Sequence, residues 1–514
     1  MRSKRQPCLP LGPVLPGLMM AVVFSGGAAG QSSLWLMPGQ SVGNNRNQPA
    51  EHIINASNVG TLTPLWVFPT AGGVSATPTV ADNAVYFPDW AGNIYAVDKH
   101  TGQQIWSQKV SAYNGGTAAV ARASLTVSGG ELIFGDRQGG LHNGAHLLAV
   151  NRYTGALLWT TQIDSHPAAW VTGPAVVFGN VVYQGVSSNE EGMANTSGYA
   201  CCTFRGSMVA LDARTGRILW KTYTVPDNHG ASDHYSGGAI WQPPVIDSRR
   251  GLLYVGTGNN YSVPASVRTC QAANPNSFRC VARKDYFDSA LALDLRTGAI
   301  RWSQRLWGYD VWTLACTSSE TSAACPPPTG PDYDLGGSGA NLVNGYVGFG
   351  QKSGIYWALN PANGSVLWGT SIGPGGEHGG MEWGTATDGK RIYVASANSQ
   401  HSTHALASGQ TIAGGSWSAL DAATGKILWQ TADPTPTALD LGAVSVANGI
   451  IYAGSTSGYM YGLDARSGKI LWSFNSGLTV FGGPSIADGV VYWGSGYSNT
   501  GSTGNNKVYA FAVP

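Results

Sequence analysis

The sequence predicts an all-β fold: an eight-bladed β-propeller whose last blade is assembled from both ends of the chain. Three observations predict it. One phrase, apolar–Ala/Gly–apolar–Asp/Asn–x–x–Thr/Ser/Asn–Gly–x–x–x–Trp, occurs seven times, at 96–106, 149–159, 210–220, 292–302, 358–368, 419–429 and 462–472. Among the tryptophans of successive copies, the shortest intervals, Trp66 to Trp106 and Trp429 to Trp472, are 40 and 43 residues, which fits the roughly 40–50 residues of a four-stranded blade. An eighth copy is divided. Its first half is the C-terminal run 507–514, and its second half stands at 62–68. Pairing the two would close the ring and hide both sheet edges. Seven or nine blades are the neighbouring counts, because insertions lengthen several intervals.

In chain order, residues 1–30 read as an export leader. Arg2, Lys4 and Arg5 form a basic start, 9–24 is mostly apolar, and 25–30 is rich in small residues. The expectation is a periplasmic or secreted protein, with a disordered cytosolic N-terminus as the alternative. Residues 31–514 then form one propeller domain. Each phrase is a strand, a tight turn and a second strand. Its Gly allows positive φ, its Asp and Thr can bond the turn backbone, and its Trp is a large wedge between sheets. The longest interval, 82 residues from Trp220 to Trp302, carries the most extra chain. Long loops on a rigid scaffold are where function concentrates. Two inserts, 227–235 with His229 and His234, and 262–287, are expected to wall an entrance.

Composition agrees. There are 71 Gly, 18 Trp and 22 Tyr but only 11% charged residues, a turn-rich β composition. A net charge of +1 gives no electrostatic case for nucleic acid, and no segment after the leader is apolar enough to span a membrane. Six cysteines follow the leader, an even count that in an exported chain suggests disulfides. Cys270–Cys280 and Cys316–Cys325 would each close a short loop. Cys201–Cys202 would close an eight-membered ring, a distortion of the kind that persists at functional sites. Cys-x-x-Cys and Cys-x-x-Cys-His are both absent from the sequence, so neither a zinc pair nor a covalent c-type haem is encoded in it.

The phrase resembles the tryptophan docking motif of the quinoprotein dehydrogenases, eight-bladed propellers that hold pyrroloquinoline quinone (PQQ) and Ca²⁺ on the axis. Outer-membrane assembly propellers share similar repeats without a cofactor, so the site residues must decide. Glu190, in Ser-Ser-Asn-Glu, matches a Ca²⁺-ligating Glu, with Glu191 beside it as a competing ligand. Asn259, in Gly-Thr-Gly-Asn, matches a second Ca²⁺ ligand. Thr172 and Ser187 match residues that bond the quinone, and Trp241 matches the indole on which it stacks. Lys352 matches a cation on its carbonyls, and Arg122 one that pairs with a carboxylate. The vicinal Cys201 and Cys202 belong to the same expected cofactor site. Their position before the third repeat, with Gln-Lys-Ser-Gly at 351–354, is similar to the polyvinyl alcohol dehydrogenase type. A cytochrome c domain usually accompanies that type and is not encoded in these 514 residues, so electrons are expected to pass to an external acceptor such as cytochrome c.

The residue chemistry points the same way. A flat tricarboxylate needs cations, hydroxyl donors and an aromatic floor, and Ca²⁺ needs oxygen ligands. One position departs from the family. Aligned on Trp312, the base would be Thr313, whose hydroxyl cannot accept a proton at neutral pH. Asp310 is the expected base, with Asp332 and Asp334 as runners-up. The expected reaction is oxidation of an alcohol by hydride transfer to quinone C5. The substrate alcohol is small or polymeric. The rivals are a cofactor-free scaffold propeller and a quinoprotein acting on sugars or aldehydes, or using a lanthanide.

Overall fold

The computed structural model describes residues 33–514 except 117, 318–322, 336 and 498–504; the expected leader lies outside the described residues. Eight antiparallel sheets of four strands follow one another around an axis. The first is built from Thr79–Ala81, Ala84–Pro88, Asn93–Asp98 and Gln104–Lys109. Six more blades follow, at 126–164, 176–223, 245–305, 340–371, 386–432 and 445–475. The eighth joins Ser485–Ala487, Val490–Gly494 and Lys507–Ala512 to Thr63–Pro69 from the other end of the chain.

The register explains the repeated phrase. In every blade its small residue lies directly across from its tryptophan: Ala96 from Trp106, Ala149 from Trp159, Ala210 from Trp220 and so on, with Ala510 across from Trp66 in the divided copy. A large ring on the outer strand needs a small partner, and the bulge that follows each pair turns the strand into the next residue. Seven of the indole N–H groups donate to a carbonyl in the following blade, for example Trp66 to Lys99 (2.9 Å) and Trp159 to Ala213 (2.8 Å). Buried indoles need such a partner. The Asp of the phrase caps the turn: Asp212 Oδ1 accepts from the Thr215 amide and hydroxyl at 2.9 and 2.7 Å.

The glycine has two separate reasons to be glycine. Gly216 has φ +70°, and a Cβ there would lie 2.6 Å from the Trp159 ring of the preceding blade. Gly216→Ala therefore forces both an unfavourable backbone and a clash. It is expected to lower stability by about 1–3 kcal/mol, read as the shift of a urea unfolding midpoint. An unchanged midpoint would show that the blade–blade lock gives way freely.

Before the ring is entered, residues 33–51 cross the axis. Arg46 is buried and bonds the Val444 and Pro38 carbonyls (2.7 and 2.9 Å) and the Thr77 and Ser445 hydroxyls (3.0 and 3.1 Å). Asn44 and Gln48 donate to the Ala340 and Ile486 carbonyls. One short segment thus ties blades on several sides of the hub. Burial without a carboxylate partner draws the Arg46 guanidinium down to about 9. No helix of the described residues is long and apolar enough to cross a membrane.

A candidate cofactor site at the hub

A cavity of about 630 Å³ lies at one end of the axis, within the usual range for small-molecule sites. Its position follows from the blades. The turns leaving the second strand of each blade and the chain entering the first strand converge at this end, and both kinds of position supply the lining. Ser187, Asn259 and Lys352 close or follow second strands. Arg122, Thr172 and Trp241 precede first strands. All six line the cavity.

Several contacts fix their orientation. Trp170 pairs with Ser187 across a short antiparallel ladder. This brings the Thr172 and Ser187 hydroxyls to 2.7 Å. The Asn259 amide nitrogen donates to the Asn260 and Trp312 carbonyls at 2.9 and 2.8 Å, which leaves its oxygen as the uncommitted end. Lys352 Nζ lies 5.6 Å from the centre of the Trp241 ring. The Arg122 guanidinium stacks over Trp383 at 4.4 Å, and its Nε is buried without a partner.

Glu190 is placed elsewhere. It is fully buried and its carboxylate is saturated: Oε1 accepts from the Tyr199 hydroxyl (2.9 Å) and Thr203 amide (2.7 Å), and Oε2 from the Phe204 amide (2.7 Å). Those bonds brace the segment just after the paired cysteines. Glu191, one step along the short helix Glu190–Met193, lines the cavity instead. Burial pushes its carboxyl up to about 8, against the opposing pull of Lys352.

Asp310 is also placed away from the cavity. It is fully buried, and its two oxygens accept from the Asp332 and Tyr333 amides at 3.1 and 2.5 Å. It therefore holds the 332–334 backbone rather than facing a ligand. Of the three aspartates, Asp334 lines the cavity. Its Oδ1 accepts from the Asn259 amide at 2.7 Å, and its Oδ2 is 3.1 Å from Lys352 Nζ. Lys352 also contacts both oxygens of Asp332 at 3.0 Å. Burial alone would lower the lysine, but Asp332 and Asp334 outweigh it and hold the ammonium well above its usual range.

All three disulfides are present: Cys201–Cys202, Cys270–Cys280 and Cys316–Cys325. The vicinal pair does not line the cavity. It belongs to an apolar group that also holds Phe204, Tyr261, Trp241 and the Cys316–Cys325 bridge. Nor do the inserts reach the cavity: none of the described residues of 227–235 or 262–287 lines it. Asp227 instead borders a side groove with Arg205 and Tyr223. The far wall is supplied by residues the motifs did not flag: Trp170, Trp383, Leu439, Leu441, Phe481 and Tyr497, with His378 and Glu382 beside them. Most of these stand at the same blade positions as the six above, and that equivalence is the signal that could have found them.

The donor set suits a planar polyanion with a bound cation. Two guanidinium or ammonium groups, two hydroxyls and an indole surround a space whose remaining edge carries Glu191, the Asn259 oxygen and Asp334. Gly337 closes against the Trp241 ring, where a Cβ would approach to 3.2 Å.

Comparison with known proteins follows the same line. A family profile described as outer membrane protein assembly factor BamB matches residues 52–304 and 413–513. A polyvinylalcohol dehydrogenase of Sphingopyxis sp. (strain 113P3) is 31% identical, over 95% of this chain and 77% of that one. A second polyvinylalcohol dehydrogenase, from Pseudomonas sp., is 29% identical over 93% and 77%. Among solved structures, the quinohemoprotein alcohol dehydrogenase of Comamonas testosteroni superposes with a TM-score of 0.67 at 19% identity, over 94% of this chain and 80% of that one. The chain belongs to this repeat-propeller family and, within it, to the PQQ-dependent quinoprotein alcohol dehydrogenases.

Proposed function

We propose that the hub cavity holds PQQ with Ca²⁺ and oxidises alcohols, including secondary alcohols carried on a polymer. Its electrons pass to an external one-electron acceptor such as cytochrome c. The observation that carries this reading is the convergence of Lys352, Arg122, Trp241, Asn259 and Asp334, contributed by three blades, on one cavity. When bound, PQQ supplies an electrophilic carbonyl carbon that accepts hydride, and Ca²⁺ polarises that carbonyl.

The chain's own residues supply the rest. Glu191, the Asn259 oxygen and Asp334 are the proposed metal ligands, replacing Glu190. Asp334, replacing Asp310, takes the proton of the substrate hydroxyl. Lys352, held by Asp332, donates charge-assisted hydrogen bonds to the cofactor's carbonyl edge. Arg122 faces a carboxylate, Thr172 and Ser187 donate hydroxyl bonds, and Trp241 forms the floor. Cys201 and Cys202 act by packing in the apolar group that holds Trp241. Leu439, Leu441 and Phe481 give the substrate's carbon chain an apolar wall. A scaffold without a cofactor has no use for buried cations at the hub. Residues 1–30 are proposed as an export leader and 31–514 as the propeller, which places the reaction in the periplasm or outside the cell.

The test is reconstitution. The purified protein should retain PQQ through gel filtration only when Ca²⁺ is present. It should then reduce a phenazine dye with primary alcohols, secondary alcohols or polyvinyl alcohol. Glu191→Gln should weaken this Ca²⁺ dependence by about tenfold or more, whereas Glu190→Gln should mainly lower thermal stability. Failure to retain PQQ at all would remove the dehydrogenase reading of this site.

A further inference from the structure

We propose that His378 and Glu382 form the outlet by which protons leave the hub cavity. The inference rests on the alcohol oxidation proposed above, because that reaction makes the outlet necessary. Oxidising R₂CHOH to R₂C=O breaks one C–H and one O–H bond, forms the C=O bond, and releases two electrons and two protons. The electrons leave singly to the external acceptor. The protons need a path of their own.

The groups that first meet them are enclosed. The side chains of Lys352, Asp334 and Asp332 are 9%, 8% and 1% exposed. From that enclosed set, one pair on the lining leads outward. Glu382 has a 5% exposed side chain, and its Oε1 is buried with no hydrogen-bond donor. His378 Nδ1 lies 3.5 Å from that oxygen, and the His378 side chain is 61% exposed. The two residues thus bridge from the buried side of the cavity to water within one ion-pair distance. Both sit on the glycine-rich stretch 373–384, where Gly380 has φ +57°. The charged groups facing His378 are Glu382 and Glu377 from its own loop, Lys352 from the fifth blade and Glu191 from the short helix. Its contact with Glu382 is the largest influence and raises the imidazole above its ordinary value. An exposed imidazole that exchanges protons readily with water is the group suited to hand them to buffer and return unprotonated.

Two readouts test this. In the protein without cofactor, the His C2–H resonance missing from His378→Gln identifies His378. Its titration midpoint should lie above the usual ~6.5 and fall in Glu382→Gln. A midpoint that Glu382→Gln leaves in place overturns the pairing. In the reconstituted enzyme, His378→Gln should slow steady-state turnover by about tenfold in dilute buffer, far more than it slows a single turnover. Imidazole or concentrated buffer should restore the rate. Turnover equal to wild type at every buffer concentration, or a loss that neither additive restores, overturns the outlet. Loss of PQQ retention would instead indict the cofactor reading, while the resonance experiment would still decide the pair.

Discussion

Asp334→Asn should lower kcat for alcohol oxidation by about 10²–10⁴-fold, the span expected when a positioned base is removed, with little change in fold. Asparagine can still accept the Asn259 amide that Asp334 accepts at 2.7 Å, so the local backbone has no reason to move. Its amide nitrogen cannot take a proton, and it would face Lys352 Nζ, which now lies 3.1 Å from Oδ2. Asp310→Asn is the control. That residue holds the Asp332 and Tyr333 amides, and asparagine can accept only one of them well. Its loss should be about tenfold or smaller, with KM and metal affinity moving along with kcat. The measurement is kcat and KM for both variants on the same alcohol, at saturating PQQ and Ca²⁺. Full activity in Asp334→Asn together with a dead Asp310→Asn would return the base to Asp310.

Lys352→Met should be damaging in two ways. Lys352 contacts both oxygens of Asp332 at 3.0 Å and one of Asp334 at 3.1 Å, all three side chains being less than a tenth exposed. Removing one partner of a buried ion pair leaves uncompensated charge and costs about 3–5 kcal/mol. Here two carboxylates would be stranded, and the hub would relax by protonating or spreading them. PQQ retention should fall together with the unfolding midpoint. Lys352→Arg should recover part of both, since charge is retained while the fork geometry differs. A Lys352→Met protein with wild-type stability would show that Asp332 is neutral in the native hub.

The architecture could be read from the chain because one physical problem recurs from blade to blade. A tryptophan on an outer strand needs a small residue across from it, a carbonyl for its N–H, and a glycine from the next blade over its ring. Ala149, Ala213 and Gly216 meet those needs for Trp159. The six lining residues were legible through the family resemblance, and the blades bring them together because equivalent positions point to the same end of the axis. Two choices were not. Glu190 and Glu191 are neighbours at the start of a four-residue helix, and the turn between adjacent helical positions sends one toward the Thr203 and Phe204 amides and the other toward the cavity. Asp310 and Asp334 are separated by a disulfide-closed excursion, and only its path back shows that one props up the other. Glu382 and Trp383 stand just before a first strand, as Arg122, Thr172 and Trp241 do, whereas His378 lies farther back in a glycine-rich stretch that matches no repeat.

The segment carrying Arg46 gives the hub a bottom. It lies beyond Arg122, Thr172, Trp383 and Phe481, separated from them by a void of only about 50 Å³, room for a water or two. Under the proposed reaction, alcohol must enter and carbonyl product must leave on the side away from that base, so release of one sets the tempo for arrival of the next.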